Sequence, residues 1–177
     1  MKKITFFTAI FFLASFSGYA QKITQGSINF LKAGDQLHVV FNYDDLKIHK
    51  SPEKDFLAAR GAEFAGQWEK AKAETYGKQF IEFLEKNVNA KKELLACGHL
   101  PNAPYQALVR VLSVDREWNM TCEVIFTKTG DSTPLAKMSL SGITKTVYGI
   151  GSPTYLTGQS FSYAGQFLGK MLAGKIK

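Results

Sequence analysis

The sequence predicts an α+β fold: a mostly antiparallel sheet of about five strands, a long helical region over 52–86 and a C-terminal helix, the helices packed on one face. Three observations carry this expectation. Apolar and polar residues alternate over Leu37–Tyr43 and Met120–Phe126, the period of half-buried strands. Aromatic and aliphatic residues recur at helical spacing from Phe56 to Leu84. Over Gln159–Lys177 the apolar residues again fall on one helical stripe.

Residues 1–20 read as a cleavable export signal. Met1-Lys2-Lys3 is a positive lead, Ile4–Phe16 is almost wholly apolar, and Gly18 and Ala20 supply the small residues before a cleavage point. The apolar run is about 13 residues, short of the roughly 20 that span a bilayer. No cysteine stands at the cleavage point, so a bacterial lipid anchor is not expected. Leu95-Ala96-Cys97-Gly98 has the letters of a lipoprotein box, but it follows Lys91, Lys92 and Glu93 rather than an apolar run. Residues 21–177 are then expected to form one α+β domain of about 157 residues, long enough to bury a core.

Gln21–Gly26 reads as a flexible lead. Ser27–Leu31 reads as a strand that pairs with Leu37–Tyr43 across Lys32-Ala33-Gly34-Asp35, a β-hairpin. Ser51-Pro52-Glu53 has the signature of a helix start, with Ser at the cap and Pro in the first turn. Glycines in the helical region disfavour a single rod, and a break is expected near Gly66 or Gly77. Asn87–Pro104 reads as a loop with one short helical turn at Glu93–Ala96. Tyr105–Asp115 is apolar on both faces near its middle, which predicts a central, doubly covered strand. With Met120–Thr127 and Leu135–Leu140 it makes an antiparallel meander, turned by Arg116–Asn119 and Thr129-Gly130-Asp131-Ser132. Gly142–Gly158 reads as a long loop. In the closing helix, Gly165, Gly169 and Ala173 form a row of small residues that predicts close packing of helix on sheet.

The formal net charge of +7 falls by two once Lys2 and Lys3 are removed. The remaining cations are interleaved with Asp and Glu, so a nucleic-acid footprint is not expected. The lysines near the C-terminus stand where cations offset a helix end. Cys97 and Cys122 would meet an oxidising compartment after export, so a disulfide between them is left open, beside the alternative that Cys122 is a buried thiol on a strand. His38, His49 and His99 form no HExxH or tight ligand pair. Cys97-Gly98-His99 falls short of the three or four ligands of a zinc site, so no metal is expected. Gly149-Ile150-Gly151-Ser152 lacks the lysine and third glycine of phosphate-cradling loops, and no cofactor is expected.

Two carboxylate pairs occur, Asp44 with Asp45 and Asp115 with Glu117, the second beside Trp118. Trp118, Tyr148 and Tyr155 are the candidate binding aromatics; the competing reading is that they cap the ends of the core.

Gly26-Ser27-Ile28-Asn29-Phe30-Leu31-Lys32, Val40-Phe41-Asn42-Tyr43, Tyr105–Val114, the Cys122–Phe126 strand and Tyr163-Ala164-Gly165-Gln166-Phe167-Leu168-Gly169-Lys170 together resemble a family of small exported Gram-negative proteins with no established activity. The resemblance implies a place in the periplasm or on the outer surface, and no functional residue. The sheet with its terminal helix is also similar to small periplasmic accessory domains of envelope machinery.

The expectation that follows is a non-enzymatic envelope protein binding a macromolecular partner through Trp118 and the 142–158 loop. The alternative is a small-ligand or glycan-binding protein in which Trp118, Tyr148 and Tyr155 line a concave site. A hydrolase using Asp115 or Glu117 is the third reading.

Overall fold

The computed structural model of the chain describes residues 22–142 and 151–176. The expected export signal and Tyr148 therefore lie outside the described residues. The strands are β1 (Lys22–Gly26), β2 (Asp35–Asn42), β3 (Lys47–Ile48), β4 (Ser51–Pro52), β5 (Leu95–Gly98), β6 (Tyr105–Val114), β7 (Met120–Lys128) and β8 (Ala136–Ser141). The helices are α1 (Glu53–Arg60), α2 (Ala62–Ala71), a π-turn (Lys72–Tyr76), α3 (Gly77–Val88) and α4 (Pro153–Ala173).

The strands make one mixed sheet in the order β1-β8-β7-β6-β2-β5. The meander β6-β7-β8 is antiparallel as its alternation predicts, and β6 is central. Alternation puts Ala107, Val109 and Val111 of β6, Met120, Cys122, Val124 and Phe126 of β7, and Met138 and Leu140 of β8 in the buried layer. The core between this face and the helices is closed by Phe80 and Leu84 of α3 and by Phe161, Ala164, Leu168 and Leu172 of α4. On the opposite face Leu108, Arg110 and Leu112 are half-buried, so β6 is central without being sheathed on both sides.

The hairpin expected over Ser27–Tyr43 does not form. The expected lead, residues 22–26, is a strand, and it pairs antiparallel with β8 at the far edge. β2 runs parallel to both of its neighbours, β5 and β6. Between β1 and β2 the chain makes a turn closed by Leu31 N–H to Ile28 O (3.2 Å), and the two residues bury at spacing three instead of two. Gly26, at φ 69°, starts this departure; a Cβ there would run into the Leu135 carbonyl.

Residues 95–98, expected as loop with a helical turn, are the edge strand β5, with Leu95 and Cys97 buried. Ser51-Pro52 belongs to a two-residue strand, and α1 begins at Glu53 without a side-chain cap. The helical region breaks at Gly61 (φ 89°) and widens at the π-turn, whereas Gly66 sits undisturbed inside α2. α4 starts earlier than expected, with Ser152 as its cap and Pro153 in its first turn. Its row of small residues faces α3 rather than the sheet: Cβ atoms on Gly165 and Gly169 would strike the carbonyl oxygens of Phe80 and Leu84.

Cys97 and Cys122 are buried free thiols. Cys97 lies opposite Leu37, Leu37 opposite Tyr105, and Tyr105 opposite Lys128. Three strand spacings, roughly 14 Å, therefore separate β5 from β7. A disulfide needs Cα atoms within about 7 Å, so the bridge left open by the sequence does not form. Burial pushes both thiols up to about 12.

Candidate functional site

Trp118 is built into a strained corner of the sheet. Asp115–Trp118 connects β6 to β7 as a tight turn, with Trp118 N–H donating to Asp115 O (3.1 Å) and Asp115 N–H to Asn119 O (2.9 Å). Trp118 holds φ 64°, a position that hairpins of this shape usually give to glycine. Beside it, the β3–β4 connection is His49-Lys50, with φ 50° and 75°. These are the only non-glycine residues at positive φ among those described. Each such residue costs about 1–2 kcal/mol, and all three belong to two adjoining turns.

Ring packing offsets part of that cost. The Trp118 ring lies 4.7 Å from His49, 6.3 Å from Phe56 and 6.4 Å from Trp68, centroid to centroid. Trp118 is thus half-buried and supported by the helices. The contacts continue through Trp68 to Tyr76 (5.5 Å) and from Tyr76 to Phe161 on α4 (5.0 Å). Under this row, Glu53 accepts the Trp68 indole N–H (2.6 Å) and both its oxygens accept from Lys72 (2.9 Å).

An open cleft of about 690 Å³ runs along the corner, lined by Lys47, His49, Lys50 and residues 113–117. Three cations line it: Lys47, Lys50 and Arg116. Of the two carboxylates, Asp115 is held in its own turn: Oδ1 accepts the backbone N–H groups of Glu117 (3.0 Å) and Asn119 (2.8 Å), and Oδ2 accepts from Asn119 Nδ2 (3.1 Å). That geometry makes Asp115 the shaping group of the hairpin. His49 Nε2 is buried and has no hydrogen-bond partner. Burial, and then the nearby Arg60 and Arg116, hold the His49 ring below its ordinary value of 6.5, against a smaller opposing effect of Asp115. Burial and the two arginines both favour the neutral ring.

Tyr155 stands elsewhere. It is in the first turn of α4, 55% exposed, the one large exposed hydrophobic side chain among the described residues. Its hydroxyl accepts from Gln159 Nε2 (2.6 Å), and it borders a shallow cleft of about 180 Å³ with Thr75 and Gln79. Tyr155 lines a cleft with Thr75 and Gln79, away from the His49, Phe56 and Trp68 rings that surround Trp118. The sequence reading missed His49, Lys50 and Arg116; the available signal was His49-Lys50 in a two-residue connection flanked by Ile48 and Ser51. Asp44 is exposed and accepts from Asn42 Nδ2 (2.7 Å), and Asp45 pairs with Arg110 (2.8 Å), so the other carboxylate pair is part of the local polar surface.

Among the described residues no group of three or more His, Cys, Asp or Glu is placed to hold a metal ion, and no helix is long and apolar enough to cross a membrane. No protein-family model matches the chain, and neither does any curated protein. Two solved structures of the PelC dodecamer from Paraburkholderia phytofirmans are similar to it at a distance. One, of a point variant, is 11% identical with a TM-score of 0.44, covering 84% of this chain and 97% of that one. The other is 9% identical with a TM-score of 0.43, covering 89% of this chain and 98% of that one.

Proposed function

We propose that the chain is an exported, non-catalytic binding protein, and that the corner built by His49, Lys50 and Arg116–Trp118 takes a glycan, acidic sugars above neutral ones. The observation that carries this reading is that two left-handed non-glycine residues, His49 and Lys50, line the cleft, with the ring of a third, Trp118, packed against His49. Strain of this kind persists where surrounding structure fixes it, and it clusters at ligand sites. The chemistry suits a saccharide. Trp118 and His49 supply ring surface, and Lys50 and Arg116 meet carboxylates or sulfates. Export directed by residues 1–20 would bring such a site among envelope polymers.

The test is a glycan array probed with the mature chain and with Arg116→Ala. Binding to acidic oligosaccharides that falls at least tenfold in the variant supports the reading. No binding above background, or equal binding by the variant, sinks it.

A second reading is that Tyr155, the one large exposed hydrophobic side chain among the described residues, contacts a protein partner. Tyr155→Ala should leave the melting temperature unchanged and abolish crosslinking to an envelope protein. Unaltered crosslinking counts against it.

A further inference from the structure

Far along α4 from Tyr155, two grooves adjoin at Gly174. One, of about 570 Å³, lies between the ends of α3 and α4 and has Val88, Leu94 and Ala173 for its floor. The other, of about 710 Å³, lies against the turn before β2 and includes Leu31 and Ala33. Lys91, Lys92 and Lys170 line the first, and Lys32 and Lys175 the second. No acidic residue lines either groove. None of these five lysines makes an ion pair among the described residues. The nearby Asp35 is engaged by the backbone N–H of Lys32 (2.8 Å).

Lysines at helix C-termini commonly do no more than offset the helix dipole. Here two helix ends contribute about half a negative charge each. Five cations exceed that by about four charges, so offsetting the dipoles does not account for them. Free phosphate is held most specifically by backbone N–H groups at a helix N-terminus or by arginine forks, and a lysine meets it only as a point charge. The grooves have neither, since the helices present their C-terminal ends and every cation is a lysine. What they combine is an apolar floor with a positive rim.

We infer that the joined grooves bind an anionic lipid, its phosphate among the lysines and its acyl chain along Val88, Leu94 and Ala173. The site uses none of the residues of the Trp118 corner and does not rest on the glycan reading.

Calorimetric titration of the mature protein tests it with three probes: dodecyl phosphate below its micelle concentration, inorganic phosphate and dodecyl maltoside. Dodecyl phosphate is expected to bind at least tenfold more tightly than either of the others. The double variant Lys91→Glu, Lys92→Glu should lose at least tenfold of that affinity, and Ala173→Asp, which charges the floor, should lose a similar amount. All three positions are at the surface or half-buried, and an unchanged melting temperature verifies the fold of each variant. If inorganic phosphate binds as tightly as dodecyl phosphate, the grooves are a general anion surface and the inference fails. It fails equally if dodecyl maltoside matches dodecyl phosphate, or if the double variant binds undiminished.

Discussion

Lys50 has no ring to anchor it, yet it holds φ 75°. Replacing it with glycine relieves the backbone at no cost in packing. Lys50→Gly is therefore expected to raise stability by about 1 kcal/mol in urea denaturation, while acidic-glycan binding weakens because a cation leaves the cleft. A gain in both properties would separate the strain from the site. His49 carries a pH dependence. Its folded value lies below 6.5, so between the two values the unfolded chain binds more protons than the folded one. Stability from this residue is complete above about pH 6.5 and is lost as the pH falls toward the folded value. The melting temperature should decline over that window, and His49→Asn, which tolerates the left-handed backbone, should flatten the decline. Glu53 has a different burden, as the acceptor for a buried indole and for Lys72. Glu53→Ala leaves both without it and is expected to cost about 2 kcal/mol, read from the urea midpoint. Trp118 and Tyr155 were legible as candidates because large aromatics near turns stand out in a sequence. That they belong to separate patches was not, because the separation depends on where α4 begins.

At the scale of elements, two glycine substitutions should act in opposite directions. Gly66 lies inside α2 with open space where a Cβ would stand, so Gly66→Ala should stabilise by about 0.5–1 kcal/mol. Gly165 has the Phe80 carbonyl in that space, so Gly165→Ala must push α3 and α4 apart and should destabilise by about 2 kcal/mol or more. Chemical denaturation of the pair measures the closeness of the two helices. The meander and the helices were readable because their periods are long and their neighbours in sequence are also their neighbours in space. β1 and β5 were not. β5 has four residues, too few to show a period, and it pairs with a strand far back in the chain. β1 is mostly exposed, so its five residues carry no alternation to read. The α4 start carries a Ser-Pro pair, Ser152-Pro153, and there Ser152 does cap the helix, whereas the same pair at Ser51-Pro52 precedes α1 without capping it. The reach of α4 was hidden by the glycines and hydroxyl residues of the first turns.

For the whole molecule, the buried thiols on separate strands predict indifference to reducing agent. Native protein should show no reactive thiol and the denatured chain two, with the same melting temperature in reduced and oxidised buffer. The order of the strands has a consequence in time. β1 finds its partner only in β8, and β2 is flanked on both sides by strands that follow it in the chain. A ribosome releasing this polypeptide from its N-terminus delivers β1, β2 and all the helices through α3 before it delivers the strands that β1 and β2 pair with. The earliest portion emerges with its main-chain hydrogen bonds promised to residues not yet made. Such a chain has little native sheet to close upon until its later strands are made, and it completes its architecture last.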